Sequence, residues 1–367
     1  MATHSSGDGS AAWRTSRRGA AYGHDVFLGL AIGQLAWGPL SDRFGRRSIL
    51  ATGLGLACAA GAASVLAGTA AELALGRFVL GLGMSSGPVV GRAVVRDLYS
   101  HEQAASLLAR MTIVFSVVPI AAPLVGGAML LLGGWQAVLC LYVAVCAMLL
   151  GACITRLRET APAERASIHP LRIAAAFRAI VGERRFVVPY VALLCAQVGI
   201  FAFVSSSAFT LVSGLGVPAA HYSFMFAAVM LGQIAGSWAS SRLVARLGTH
   251  RLISAGASVV ACAGLAMAVL AWSGVAHWLA VIAPFMLYMF GTALIQPNAT
   301  AVALSPFPRA AGAASSLMGA TQFAVGAAVS TALGLAFEAS ARPLSTAVAL
   351  AGAGSFLVEK LFLHGKR

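Results

Sequence analysis

Residues 33–50 read GQLAWGPLSDRFGRRSIL, and four charged side chains, Asp42, Arg43, Arg46 and Arg47, fall within six of its positions. The rest of the chain makes that clustering unusual. Of 367 residues, 59% are hydrophobic and only 10% charged, against about 25% charged in soluble domains, and the mean hydropathy is +0.86. The apolar residues fall into blocks long enough to cross ~30 Å of hydrocarbon at about 1.5 Å per residue. Lipid is therefore the solvent for most of this chain. The fold class is all-α, a polytopic membrane protein.

Working outward from the loop, apolar spans lie at 26–41, 48–68, 73–95, 110–132, 136–155, 187–212, 221–241, 250–272, 277–304, 311–337 and 343–363. Every second connector is basic, carrying Arg43, Arg46 and Arg47; Arg96 and Arg110; Arg156 through Arg185; Arg242, Arg246 and Arg251; Arg309; and Lys360, Lys366 and Arg367. The intervening connectors hold Glu72, Glu338 and Arg342. Basic loops stay cytoplasmic, so residues 42–47 and the C-terminus face the cytoplasm.

The net charge of +14 follows from these loops beside anionic membrane lipid. A nucleic-acid partner is not indicated, because the arginines separate apolar blocks and no reader motif is present. The six cysteines sit inside apolar blocks without CxxC spacing, as small core residues, so no metal is implied. No HExxH, GxSxG or phosphate loop occurs, and no paired carboxylates converge, so neither an enzyme nor a cofactor is indicated.

The longest polar connector, residues 156–186, contains seven arginines and reads as a basic cytoplasmic linker between two halves, 26–155 and 187–367. An internal repeat supports the division. Gly33-Gln34-Leu35-Ala36 returns as Gly232-Gln233-Ile234-Ala235, and Ser41-Asp42-Arg43 as Ser240-Ser241-Arg242. Pro88 matches Pro297, and Ala104-Ala105-Ser106 matches Ala313-Ala314-Ser315. Four matches in order point to a duplicated helical half.

A positive-inside loop alone would account for the charges at 42–47. The spacing GxxxxGPLSDRFGRR is more specific, and resembles the signature loop between the second and third helices of the major facilitator superfamily. The wider wording, with GPVVGRAVVRDLY and PIAAPLVGG, resembles its bicyclomycin and chloramphenicol resistance branch of drug:proton antiporters. The resemblance covers about residues 26–363. It implies two six-helix bundles with a central cavity open alternately to each side, a small amphiphilic drug and protons as the transported partners, an inner-membrane location and a monomer.

Under that resemblance, Asp42, Arg43, Gly45, Arg46, Arg47, Arg96 and Asp97 form a cytoplasmic gate; for Arg96 and Asp97 the lipid interface is the alternative. Arg77 lies about one turn inside the third span, where a charge is costly unless paired or facing water. It matches the family's arginine for proton coupling and substrate response, with snorkelling to the outer interface as the alternative. Pro119, Pro123, Gly126 and Gly127 match the antiporter motif that bends the fifth helix, although Ala122 stands where a glycine is usual. Gln197, Gln233, Gln296, Asn298 and Gln322 are cavity candidates or interhelical hydrogen-bonding groups. Phe201, Phe203, Tyr222, Phe224, Phe226 and Tyr288 offer apolar walls, or packing.

The sequence departs from the family pattern at its start. Residues 1–25 are polar, and the first apolar block has about 16 residues from Val26, so the first transmembrane helix of twelve is expected to be missing and the first bundle incomplete. No counterpart of the family's first-helix acid is evident; among the carboxylates Asp25, Glu72, Asp97 and Glu338 approach spans, each near an end. The expectation is weak or absent proton coupling, with a truncated non-transporting protein or an uncoupled metabolite facilitator as the rival readings.

Overall fold

The computed structural model describes residues 23–98, 101–160, 177–307, 311–335 and 340–363. Residues 1–22 of the expected N-terminal segment, residues 161–176 of the linker, and Arg309, Glu338, Lys366 and Arg367 lie outside the described residues. The long helices are α1 (Gly23–Phe44), α2 (Arg46–Val65), α3 (Ala70–Met84), α4 (Ser86–Leu98), α5 (His101–Arg156), α6 (Arg184–Phe209), α7 (Ala219–Leu247), α8 (Thr249–Trp272), α9 (Leu279–Leu304), α10 (Ala311–Leu335) and α11 (Arg342–Leu363). Among the described residues there is no strand. Helices satisfy their backbone groups internally, which hydrocarbon demands.

The apolar blocks fall on helices, and among the described residues seven helical segments are long and apolar enough to cross a membrane by length and composition. Two blocks differ in detail from the reading. The first helix begins at Gly23, not Val26, and its 22 residues span about 33 Å. It is a full-length helix that takes in His24 and Asp25. The third block is divided into α3 and α4 at Ser85, whose N–H still donates to Gly81 O at 3.2 Å. Helix α5 holds two blocks and is interrupted at Gly133 and Gly134. Gly134 has φ of 68°, a left-handed conformation that glycine adopts without a Cβ clash.

Glycines set the closest helix contacts. Any Cβ on Gly29 would overlap the Phe78 carbonyl, and one on Gly33 would lie 2.8 Å from Leu82 O, so α1 and α3 touch backbone to backbone. Trp37 Nε1 reinforces this seam by donating to Leu82 O at 2.7 Å. The echo of that motif does the same work in the second half: Gly232 lies against the Met286 backbone and Gly236 against Phe290 O, joining α7 to α9. The repeat seen in the residues is thus a repeated mode of packing.

Two separate cores result. A small one gathers Trp37, Ile49, Val89 and Val90, and a large one runs from Ile180 to Val348 through α6, α8, α9 and α11. Contacts between the two sets of helices run along α1 with α10 and α5 with α7. Gly38 approaches Ser316 and Gly319 approaches Gln34 on the first seam, and Gly127 faces Ser223 on the second. Phe27, Phe201 and Phe323 also meet across the first seam, with centroids 5.2–6.4 Å apart.

Candidate functional site

The loop that opened the sequence analysis folds into a charge cluster around one guanidinium. Gly45 turns the chain from α1 into α2 with φ of 99°, and Arg46 follows as the first residue of α2. Arg46 is only 7% exposed. Its Nε donates to Asp97 Oδ2 at 2.9 Å from the end of α4, and its Nη1 donates to Ser41 Oγ at 2.7 Å and also to Asp42 Oδ1. The Arg46 backbone N–H donates to Glu159 Oε1 at 2.7 Å. Four stretches of chain, the ends of α1, α2, α4 and α5, are tied at one point. Two carboxylates beside a buried arginine offset its desolvation, and losing one partner of such a pair is strongly destabilising.

Arg47 points the other way and donates from Nη2 to Ile154 O at 2.6 Å, a cation on the C-terminal carbonyls of α5. Asp42, Gly45, Arg46, Arg47 and Asp97 are therefore brought together. Arg43 stands apart, exposed, over the ring of Phe44 at 5.5 Å. The side chain of Arg96 lies outside the described residues. Glu159 belongs to the cluster although the sequence places it in a linker; only its charge among arginines hinted at a role.

Near the opposite end of the same seam, the Val26 backbone packs on Gly81. One turn before Gly81 lies Arg77, half-buried, and the charge of Asp25 acts on it. Asp25, expected near the end of a span, sits within the first turn of α1, which packs against α3. Another acid escaped the reading. Glu359 lies within α11 and is 4% exposed, and its Oε2 has no hydrogen-bond partner.

Residues 20–331 match the profile of the Major Facilitator Superfamily. The chain belongs to that superfamily. Among its relatives, a bicyclomycin resistance protein homolog from Haemophilus influenzae is 29% identical over 303 residues, 82% of this chain and 75% of the relative. Multidrug resistance protein D from Escherichia coli is 28% identical over 297 residues, 80% of this chain and 74% of the relative. The fold matches that of the E. coli xylose transporter XylE in a partially occluded inward-open conformation, with a TM-score of 0.70 at 13% identity over 96% of this chain and 88% of that one. A D-xylose–proton symporter matches with a TM-score of 0.72 at 15% identity, over 95% and 87%. This major facilitator is a multi-pass membrane transporter.

The polar groups inside the facilitator's spans divide by location. Asn298 is buried and donates from Nδ2 to Ser240 Oγ at 2.9 Å and to Leu294 O at 2.8 Å, an interhelical tie between α9 and α7. Gln233 accepts from Thr292 Oγ1 at 3.4 Å across the same pair. Gln197 and Gln322 are half-buried and Gln296 is exposed. The five are not gathered into one site. Gln34, which the reading noted only as part of the repeat, is 3% exposed with Oε1 unpartnered, and lies against Gly319 on the α1–α10 seam.

The aromatics mostly pack. Phe203 stacks on Phe285 at 3.8 Å, and Tyr288, fully buried, donates to Ala196 O at 2.9 Å. Phe224 is 66% exposed. Phe201 meets Phe27 and Phe323 on the α1–α10 seam. In α5 the helix runs through positions 119–127 and breaks later, at Gly133. Gly127 meets Ser223 of α7, and around Gly126 there is open space. The side chains of Pro119 and Pro123 lie outside the described residues.

Proposed function

We propose that this transporter exports small amphiphilic drugs across the inner membrane in exchange for protons, by alternating access between its two halves. The observation that carries the reading is the placement of Asp25 and Arg77 on facing helices, α1 and α3, where the charge of the carboxylate reaches the guanidinium. An ionisable pair within a membrane span is costly unless it does something. Protonating Asp25 would remove the charge facing the half-buried Arg77. A drug that draws on the Asp25 carboxylate would therefore compete with a proton for it, as exchange requires.

The names of the relatives, bicyclomycin resistance and multidrug resistance, support the drug class. The Arg46 cluster ties four helix ends of the first half at the cytoplasmic side, so that this half can rock as one body against the other. Pro119, Pro123, Gly126 and Gly127 would let α5 bend against α7 during that motion, and Gln34, Gln197 and Gln322 are candidates to face the drug. One chain carries both halves, so a monomer suffices.

Proteoliposomes with an internal pH dye test the reading. Adding bicyclomycin or chloramphenicol under a proton gradient is expected to release protons in proportion to drug moved. Drug movement without proton release would make the chain a facilitator, and movement of neither would make it a non-transporting membrane protein.

A further inference from the structure

A cavity of about 690 Å³ opens between α6, α8, α10 and α11 at the end assigned to the outer side. Its volume lies in the range of about 300–1,000 Å³ usual for small-molecule sites. Val198, Leu333 and Leu350 give it apolar walls. Its polar end is a single constellation: the Arg342 guanidinium lies 5.1 Å from the Trp272 ring centroid, and Trp272 Nε1 donates to Thr346 Oγ1 at 3.1 Å.

Three observations select the occupant. The helices lining the cavity all belong to the second half, so it does not lie on the α1–α10 or α5–α7 seams where a transported molecule would pass. Leu350 is 69% and Trp272 60% exposed on the same surface, where tryptophan marks the membrane interface. Arg342 is the sole arginine or lysine in the connectors assigned to the outer side between spans, and an arginine fork matches phosphate geometry. The charge complements an anionic headgroup, and the apolar walls complement an alkyl chain.

We propose that this cavity holds one acyl chain of an anionic membrane phospholipid, with its headgroup phosphate bound by Arg342. The occupant would wedge α11 against α10, the helix that meets α1 across the halves.

The full chain is reconstituted in nanodiscs of phosphatidylglycerol or phosphatidylcholine with brominated acyl chains, with the other five tryptophans changed to phenylalanine. Quenching of Trp272 is expected to be about five-fold more effective for phosphatidylglycerol at equal mole fraction. Arg342→Gln is expected to abolish the preference, and Ala332→Phe, which fills the cavity from an exposed position, to reduce quenching by both lipids. Equal quenching by the two lipids, a preference that survives Arg342→Gln, or quenching unchanged by Ala332→Phe would overturn the site. Displacement of the quenching by bicyclomycin would make it a drug site instead and also overturn the assignment. Native mass spectrometry of the chain with all its tryptophans is the second measurement: retained phosphatidylglycerol lost on Arg342→Gln supports the site, and none retained overturns it.

Discussion

The two halves turn the same corner with different chemistry. In the first, Gly45 with φ of 99° leads α1 into α2; in the second, Gly248 with φ of 76° leads α7 into α8. Ser41 and its echo Ser240 are both buried. Ser41 accepts from the Arg46 guanidinium, held also by Asp42 and Asp97, whereas Ser240 accepts from the neutral amide of Asn298. A Cβ on Gly45 would run into Glu159, and one on Gly248 would meet nothing within 4 Å. The same contrast holds higher up, where α3 carries Arg77 beside α1 and the corresponding stretch of α9, VIAPFM, is apolar. Duplication supplied the packing, and at these matched positions, the buried corner serine's partner and the Arg77 register, charge is found in the first half and not in the second. At these positions the second half then serves as the neutral frame against which a charged half can move.

That comparison can be broken most decisively at Arg46. Arg46→Ala leaves Asp42 and Asp97 facing one another without their cation, and is expected to cost about 3–5 kcal/mol, read as a fall in Tm in detergent. Asn298→Ala is expected to cost only about 1 kcal/mol, since a neutral hydrogen bond is lost. Comparable losses at the two sites would erase the distinction.

Alanine at the two turn glycines gives a finer test. Both positions have conformations nearly restricted to glycine, with an expected strain of about 1–3 kcal/mol each. Gly45→Ala should exceed Gly248→Ala, because its Cβ also displaces the Glu159 carboxylate. Equal shifts in Tm would show that Glu159 yields freely.

The smallest expected effect is at Glu359, a buried acid in the second half. Glu359→Gln is expected to leave drug-dependent proton release intact and to raise stability by about 1 kcal/mol or less, because a neutral amide replaces a poorly satisfied carboxyl group. Loss of proton release in this variant would move the coupling chemistry into the second half.

The spans were legible because hydrocarbon imposes length and composition directly, and the break at Gly133–Gly134 because two glycines separate two full blocks. The charged loop was legible because its residues are adjacent in sequence. What lay beyond the sequence were partners set by tertiary packing. Glu159 reaches Arg46 across 113 positions. Gln34 matters through its contact with Gly319 on a distant helix. Asp25 was placed beside a span rather than within one because the boundary of α1 was drawn at the first apolar residue, three positions inside the helix. Glu359 was hidden in the more polar last turns of a span whose Lys360 drew it into a cytoplasmic connector.

The central claim, that the coupling chemistry resides in the first half at Asp25 and Arg77, is tested most directly by Asp25→Asn in proteoliposomes, measuring drug binding and drug-dependent proton release on the same preparation. The account predicts that drug-dependent proton release is lost and that drug binding no longer changes with pH. Proton release at the level of the unsubstituted chain would contradict it.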